Sequence, residues 1–310
     1  MRRPVVDAVG KASSAAKNLN IPTQYYTFMK ISIITVPWNS KEKIGQQIES
    51  VRKAATGLEF EEIAIDNASS DGTADFIRQN FLQVKLVAND KNVGFAAANN
   101  QGLKIAQGEY ILFLNPDMKC EENSLGKLID YMEKNRETGI VSCKLDNERG
   151  EFNPNAGPRR FPTVLNQLAI ILKLPHFFPS LLDNYLMKDF DPEKEQEVDS
   201  VRGSFMLIRR SVLQKLGWAF DPRYFIWFED VDLCHEVKKM GLKVMYVPFV
   251  SCVDYVGQSF KQRDSFWKQK NFTLSVLKYF QKWEPWYKWI WVYKARAIVL
   301  AGMWVKEKIF

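Results

Sequence analysis

Only two histidines, His176 and His235, occur in 310 residues, so any bound metal must be held chiefly by oxygen and a zinc site is not expected. Cysteine is scarce as well: Cys120, Cys143, Cys234 and Cys252 lie far apart, with no Cys-x-x-Cys pair. That spacing predicts reduced thiols in a cytosolic setting, acting as ordinary core residues. No Gly-x-Gly-x-x-Gly run is found, which disfavours a dinucleotide oxidoreductase. A nucleotidyltransferase would need a glycine-rich, basic triphosphate loop after its first strand, and Pro37-Trp38-Asn39-Ser40 is not one. Long apolar runs are missing too, since the stretches 164–174 and 297–305 are both too short to span a bilayer.

What is present is a globular composition, 46% hydrophobic and 25% charged, in a chain long enough for one large α/β domain or two small ones. The net charge of +7 sits at one end. Residues 261–310 hold 11 Lys+Arg against 3 Asp+Glu and six of the nine tryptophans, while the preceding 260 residues hold 32 against 33. This basic, Trp-rich tail is expected to lie as an amphipathic helix on an anionic membrane surface. The alternative is a terminal helix packed on the catalytic domain or on a partner subunit, and a homo-oligomer is compatible with that. Nucleic acid fits poorly, because the basicity is confined to one aromatic end. Residues 1–28 are polar and aperiodic and are expected to be a disordered extension, not a secretory leader.

From residue 31 apolar runs alternate with helical periodicity. The run 31–36 is followed by Asn39-Ser40 as a helix cap, then by Ile44, Ile48, Val51 and Ala55 at helical spacing, with Gly57 as the stop. Further strands are expected at 62–66, 84–87 and 110–114, and a helix with Leu125, Leu128, Ile129 and Met132 on one face. Strand–helix alternation at this spacing predicts βαβ units and a parallel sheet, with ligands bound beyond the carboxyl ends of its strands. Four polar loops fall there, at 37–39, 66–67, 89–94 and 115–117. Residues 151–200 break the rhythm with six of the thirteen prolines, and a strand is expected again after Gly203.

Three carboxylates carry the chemistry. Asp66 ends the second strand in Asp-Asn-Ala-Ser-Ser-Asp-Gly-Thr, where it can accept hydrogen bonds from a base or ribose, or simply belong to a turn capped by Asp71 and Thr73. Asp117 ends Leu-Asn-Pro-Asp, where one carboxylate suffices for a Mg2+ or Mn2+ that keeps water and phosphate ligands, unless the motif is only a β-turn. Asp230, in Trp227-Phe-Glu-Asp-Val-Asp-Leu-Cys, has apolar walls and suits a general base, although acids at a helix start also complement its dipole. Asp232 is read as a cap of that helix.

Four blocks together resemble glycosyltransferase family 2 and its GT-A fold: Ile-Asp-Asn-Ala-Ser-Ser-Asp-Gly-Thr, Asn92-Val-Gly-Phe-Ala-Ala-Ala-Asn-Asn-Gln-Gly, Leu-Asn-Pro-Asp and Phe-Glu-Asp-Val-Asp-Leu-Cys. The chain is most similar in flavour to the bacterial rhamnosyltransferase-like branch. The resemblance implies donor contacts from Asn39, Asp66, Asn67, Ser69, Asn92, Gly94, Asn100 and Asn115. It implies metal binding at Asp117, catalysis by Asp230, and acceptor contacts from Gly203, Ser204, Trp227 and Glu229. Two departures stand out. Pro37 replaces a threonine and removes one backbone N–H. Asp254, in Asp-Tyr-Val-Gly-Gln-Ser, replaces a histidine and is read as a second metal ligand.

The expected protein is thus an α/β GT-A domain at 29–260, with a donor half near 29–120 and an acceptor half near 121–260, plus a membrane-surface tail at 261–310. It would be a metal-dependent inverting transferase, using a dTDP- or UDP-linked sugar, rhamnose among the candidates, and a glycan or lipid-linked acceptor in cell-surface polysaccharide synthesis. Its expected place is the cytoplasmic face of the plasma membrane, as a peripheral protein. A catalytically inactive, membrane-associated scaffold is the alternative.

Overall fold

Ile31–Thr35 (β1) is buried at every position, as a strand covered on both faces requires. It pairs in parallel with Phe60–Asp66 (β2) and Tyr110–Leu114 (β4), and β2 pairs in parallel with Lys85–Ala88 (β3). The helices between them are Lys41–Ala54 (α1), Thr73–Asn80 (α2) and Phe95–Ile105 (α3), so the expected βαβ succession is present. The computed structural model describes residues 29–255 and 263–309. The extension 1–28 and the Gly-Gln-Ser block at 257–259 lie outside them.

Beyond β4 the sheet becomes mixed. Met118–Cys120 (β5), Thr138–Asp146 (β6), Gln196–Glu197 (β7), Phe205–Arg209 (β8) and Lys243–Asp254 (β9) complete it, in the order β3-β2-β1-β4-β8-β6-β9-β5 with β7 on β9. Strand β8 runs antiparallel to both β4 and β6. Alternate residues of β1 serve two cores: Ile31 and Ile33 pack with α1 and Ser124–Lys134 (α4), whereas Ile34 packs on the opposite face. There it meets α3 closely, because a Cβ added to Gly102 would lie 2.5 Å from Ile34. Leu125, Leu128, Ile129 and Met132 of α4 are all buried, on one face as the spacing predicts. The second face is covered by Arg210–Leu216 (α6), Glu229–Lys239 (α7) and Ser265–Trp283 (α8).

Helix α8 corrects the expected boundary at residue 260. Asp264 caps it through the Trp267 N–H at 2.7 Å, and Val276, Tyr279 and Phe280 are buried in the same core as α7. It belongs to the body of the domain. The following helix, Trp286–Ile309 (α9), packs on Val164–Ile171 (α5) from the proline-rich insert. That insert holds two short 3-10 turns, Leu174–His176 and Pro179–Leu182, and α5 starts with a capping box between Thr163 and Asn166. All four cysteines are buried free thiols; Cys120 and Cys252 face each other across β5 and β9 with sulfurs 3.7 Å apart. Among the described residues no helix is long and apolar enough to cross a membrane.

Candidate functional site

The loops after β1, β2 and β3 are stitched together by short side chains. Asn39, held at φ 50°, donates its N–H to Ser69 Oγ at 2.9 Å and accepts from the Ser70 N–H at 2.8 Å. Asn67 accepts from the Val93 N–H at 2.9 Å and donates to Asn92 Oδ1 at 3.1 Å, which also accepts from the Gly94 N–H at 3.0 Å. Gly94 sits at φ 90°, and a Cβ there would fall 2.6 Å from the Phe225 carbonyl oxygen, so only glycine fits. Asp71 takes the capping role: its carboxylate accepts from the Thr73 and Lys41 N–H groups, both at 3.0 Å. Asp66 is freed from that task. Its Oδ2 accepts from the Ser69 N–H at 3.0 Å, while Oδ1 is buried without a partner.

These loops wall a cavity of about 180 Å3 at the carboxyl edge of the sheet. Asn67, Asn92, Gly94, Asn115 and Asp117 line it from the first half of the chain, and Gly203, Ser204, Trp227, Glu229 and Asp230 from the second. Asp230 is aimed by the Gly203 N–H, 3.0 Å from Oδ2, and by its neighbour Val231, whose N–H is 2.8 Å from Oδ1. The turn that delivers it is strained, with Trp227 and Phe228 both left-handed at φ 66° and 68°. Glu229 lies beside it with Oε2 unpartnered, and burial, reinforced by the Asp230 charge, raises its carboxyl well above the usual range. Ser204 Oγ is likewise buried and unpaired.

Asp232 corrects the helix-cap expectation. It is 0% exposed and holds α8, bonding Lys282 Nζ and Trp283 Nε1 at 2.7 Å each. Of the three acids Glu229, Asp230 and Asp232, only the first two therefore line the cavity.

Residues 32–217 match the family described as glycosyl transferase family 2. The chain belongs to that family. Among curated relatives of this family 2 chain, the N-acetylglucosaminyl-diphospho-decaprenol L-rhamnosyltransferase of Mycobacterium tuberculosis is 28% identical over 209 residues, covering 63% of this chain and 66% of that protein. Rhamnosyltransferase WbbL of Escherichia coli is 30% identical over 169 residues, covering 54% and 61%. The matches thus span just under two thirds of those relatives' length. In fold, the chain is similar to S. aureus TarS 1–349, with a TM-score of 0.52 at 17% identity over 82% of this chain and 72% of that one. It is also similar to the mannosyltransferase PcManGT of Pyrobaculum calidifontis, solved with GDP-Man and Mn2+, with a TM-score of 0.56 at 18% identity over 88% and 74%. The GT-A architecture read from the sequence is the architecture found.

Not every expected residue reaches the cavity of this family 2 site. Asn39, Asp66, Ser69, Asn100 and Asp254 are not among its lining residues. Asn100 is a strut: its Oδ1 accepts from the Ala219 and Phe220 N–H groups at 2.6 and 3.2 Å, and its Nδ2 donates to Phe220 O at 2.7 Å. A donor contact from Asn100 is corrected on that ground, since its polar atoms are already engaged. Asp254 pairs with Met118 across β5 and β9, one residue from Asp117, but is not among the cavity's lining residues. No group of three His, Cys, Asp or Glu side chains that could hold a metal forms among the described residues. A divalent ion here would rest on Asp117 and complete its shell with water and diphosphate oxygens, a donor set that suits Mg2+ or Mn2+.

Sequence reading missed Arg202, Arg263 and the aromatic wall of Trp38, Phe225 and Trp267. The Arg263 guanidinium lies 4.2 Å from the Trp38 ring centre and 4.9 Å from that of Trp267. Nothing local marks these residues; α8 carries Trp267 back over the sheet edge, with Arg263 just ahead of its cap.

Proposed function

We propose that this chain is an inverting glycosyltransferase that moves a sugar, rhamnose in the favoured case, from a dTDP- or UDP-linked donor to a glycan or lipid-linked acceptor in cell-surface polysaccharide synthesis. The observation that carries this is the Asp230 carboxylate, fixed by the Gly203 N–H in a cavity that Asp117 also lines. Support for the sugar comes from the names of the two rhamnosyltransferase relatives, and support for the lipid-linked acceptor from that of the mycobacterial one.

Asp230 takes the proton of the acceptor hydroxyl as its oxygen bonds the anomeric carbon, and the carbon–oxygen bond to the diphosphate breaks on the opposite side. This in-line displacement inverts the anomeric centre. A divalent ion bound at Asp117 supplies charge neutralisation for the diphosphate. Arg263 and Arg202 add positive charge on the protein's side. Glu229, kept neutral by burial, donates a hydrogen bond to a sugar hydroxyl. The tail rests on an anionic membrane surface, near a lipid-linked acceptor.

Asp230→Asn is expected to lower single-turnover transfer by about 10^2- to 10^4-fold while donor binding is retained. Normal transfer by that variant would refute Asp230 as the base. The inactive-scaffold reading is favoured by one observation, that Asp254 is not among the residues lining the cavity. Absence of both transfer and donor hydrolysis by the unaltered protein with Mn2+ would decide for it.

A further inference from the structure

Thirteen of the seventeen large hydrophobic side chains left exposed among the described residues lie in two short segments, 165–181 and 286–305. In the first, Leu172, Leu174, Phe177, Phe178 and Leu181 are exposed, Phe177 at 78%. In the second, Trp286, Tyr287, Trp291, Tyr293, Ile298 and Trp304 are, Trp286 at 69%. The segments are joined in space: both 3-10 turns of the insert pack on α5, and α5 packs along α9. Their inner residues, Ile171, Val292 and Ala295, share the main core, so the outer faces are exposed on a packed frame and not through loose attachment.

Charge selects the occupant. Residues 164–182 and 285–305 contain no acid and four cations, Lys173, Lys288, Lys294 and Arg296. Lys294 lies over the Trp291 ring at 4.7 Å. Indole and phenol rings beside cations match the headgroup layer of a bilayer, where rings sit at the apolar boundary and cations meet lipid phosphates. A second copy would set cation against cation across the same face.

We propose that the 172–182 loop and α9 form one docking platform for an anionic lipid surface, so that the proline-rich insert, and not the tail alone, seats the enzyme on the membrane. This rests on the membrane part of the proposed function and extends it to a second element. It is independent of the assignment of Asp230.

The test is flotation of the full chain with phosphatidylcholine vesicles, with and without phosphatidylglycerol. Two variants are compared, Phe177→Ser/Phe178→Ser and Trp286→Ser/Tyr287→Ser, with melting temperature as the control for folding. The wild type is expected to float with the anionic vesicles, and each double variant to lose at least about tenfold in partitioning with its melting temperature unchanged. A loop variant that floats like the wild type would overturn the platform while leaving the tail reading intact. A wild type that never floats would overturn both. Should sedimentation instead show a dimer that both variants dissolve, the face belongs to a second copy and the proposal falls.

Discussion

The two walls of the cavity are built by different means. On the side proposed to hold the donor, neighbouring loops are tied by Asn39, Asn67 and Asn92 to groups at most 31 residues away, and their hydrogen bonds close on each other. On the acceptor side, a strained turn presents Asp230, and its support comes from far along the chain: Lys282 of α8 meets Asp232 and Asp221 at 2.7 and 3.1 Å, and Trp283 stacks on His235 at 3.7 Å. The donor side is thus preorganised locally. The side proposed for the acceptor holds a strained turn that α8 buttresses from a distance, along with the Phe95 N–H bond to Phe225 O at 2.7 Å.

Breaking that distant support should have the largest effect. Lys282→Met leaves the fully buried Asp232 without its cation, while Asp221 keeps Arg223, and is expected to cost about 3–5 kcal/mol in urea unfolding, with transfer lost more than donor affinity. If stability is unchanged, α8 is not the buttress of the acceptor wall. On the donor side, Gly94→Ala forces a Cβ against the Phe225 carbonyl and should cost at least about 2 kcal/mol, with donor affinity falling. Asn100→Ala sharpens the contrast between contact and strut. It strands the Ala219 and Phe220 N–H groups, so about 1–3 kcal/mol of stability should go while the donor dissociation constant measured on the folded protein stays nearly constant. A large loss of donor affinity would return Asn100 to the binding site.

The smallest effect is a pH dependence beneath the donor side. Burial pushes the Glu62 carboxyl up to about 7, only partly offset by Arg52 at 3.6 Å. A folded value above the unfolded one means the native state holds the extra proton, so stability falls as pH rises from about 4.5 to 7 and then levels. Glu62→Gln should therefore be near neutral at pH 4.5 and stabilising by about 1 kcal/mol at pH 8. Equal effects at both values would remove the buried charge as the cause.

Legibility differed between the walls for the same physical reason. Asp66 ends, and Asn92 to Gly94 and Asp117 follow, strands that periodicity locates, so their arrival at one sheet edge follows from βαβ geometry. Asp230 was legible because its block is local. Arg263 and Trp267 were not, because their place depends on where α8 turns back, and no short pattern encodes that. Asn100 misled for a related reason: it sits on α3 next to the donor loop in sequence, yet its amide is turned to residues 219 and 220. The tail misled by composition. Its charge and tryptophans suggested one surface element, whereas α8 buries Tyr279 and Phe280 and only α9 leaves its rings exposed.

By itself the sequence determined the parallel strands, their polar carboxyl-end loops and the acids that end them, since alternation, caps and glycines act over a few residues. The tertiary structure alone decided which of those polar groups are spent as struts, which acids are buried against α8, and which cations reach the cavity. Those outcomes depend on desolvation and on partners fifty or more residues distant, and neither is written in any local pattern.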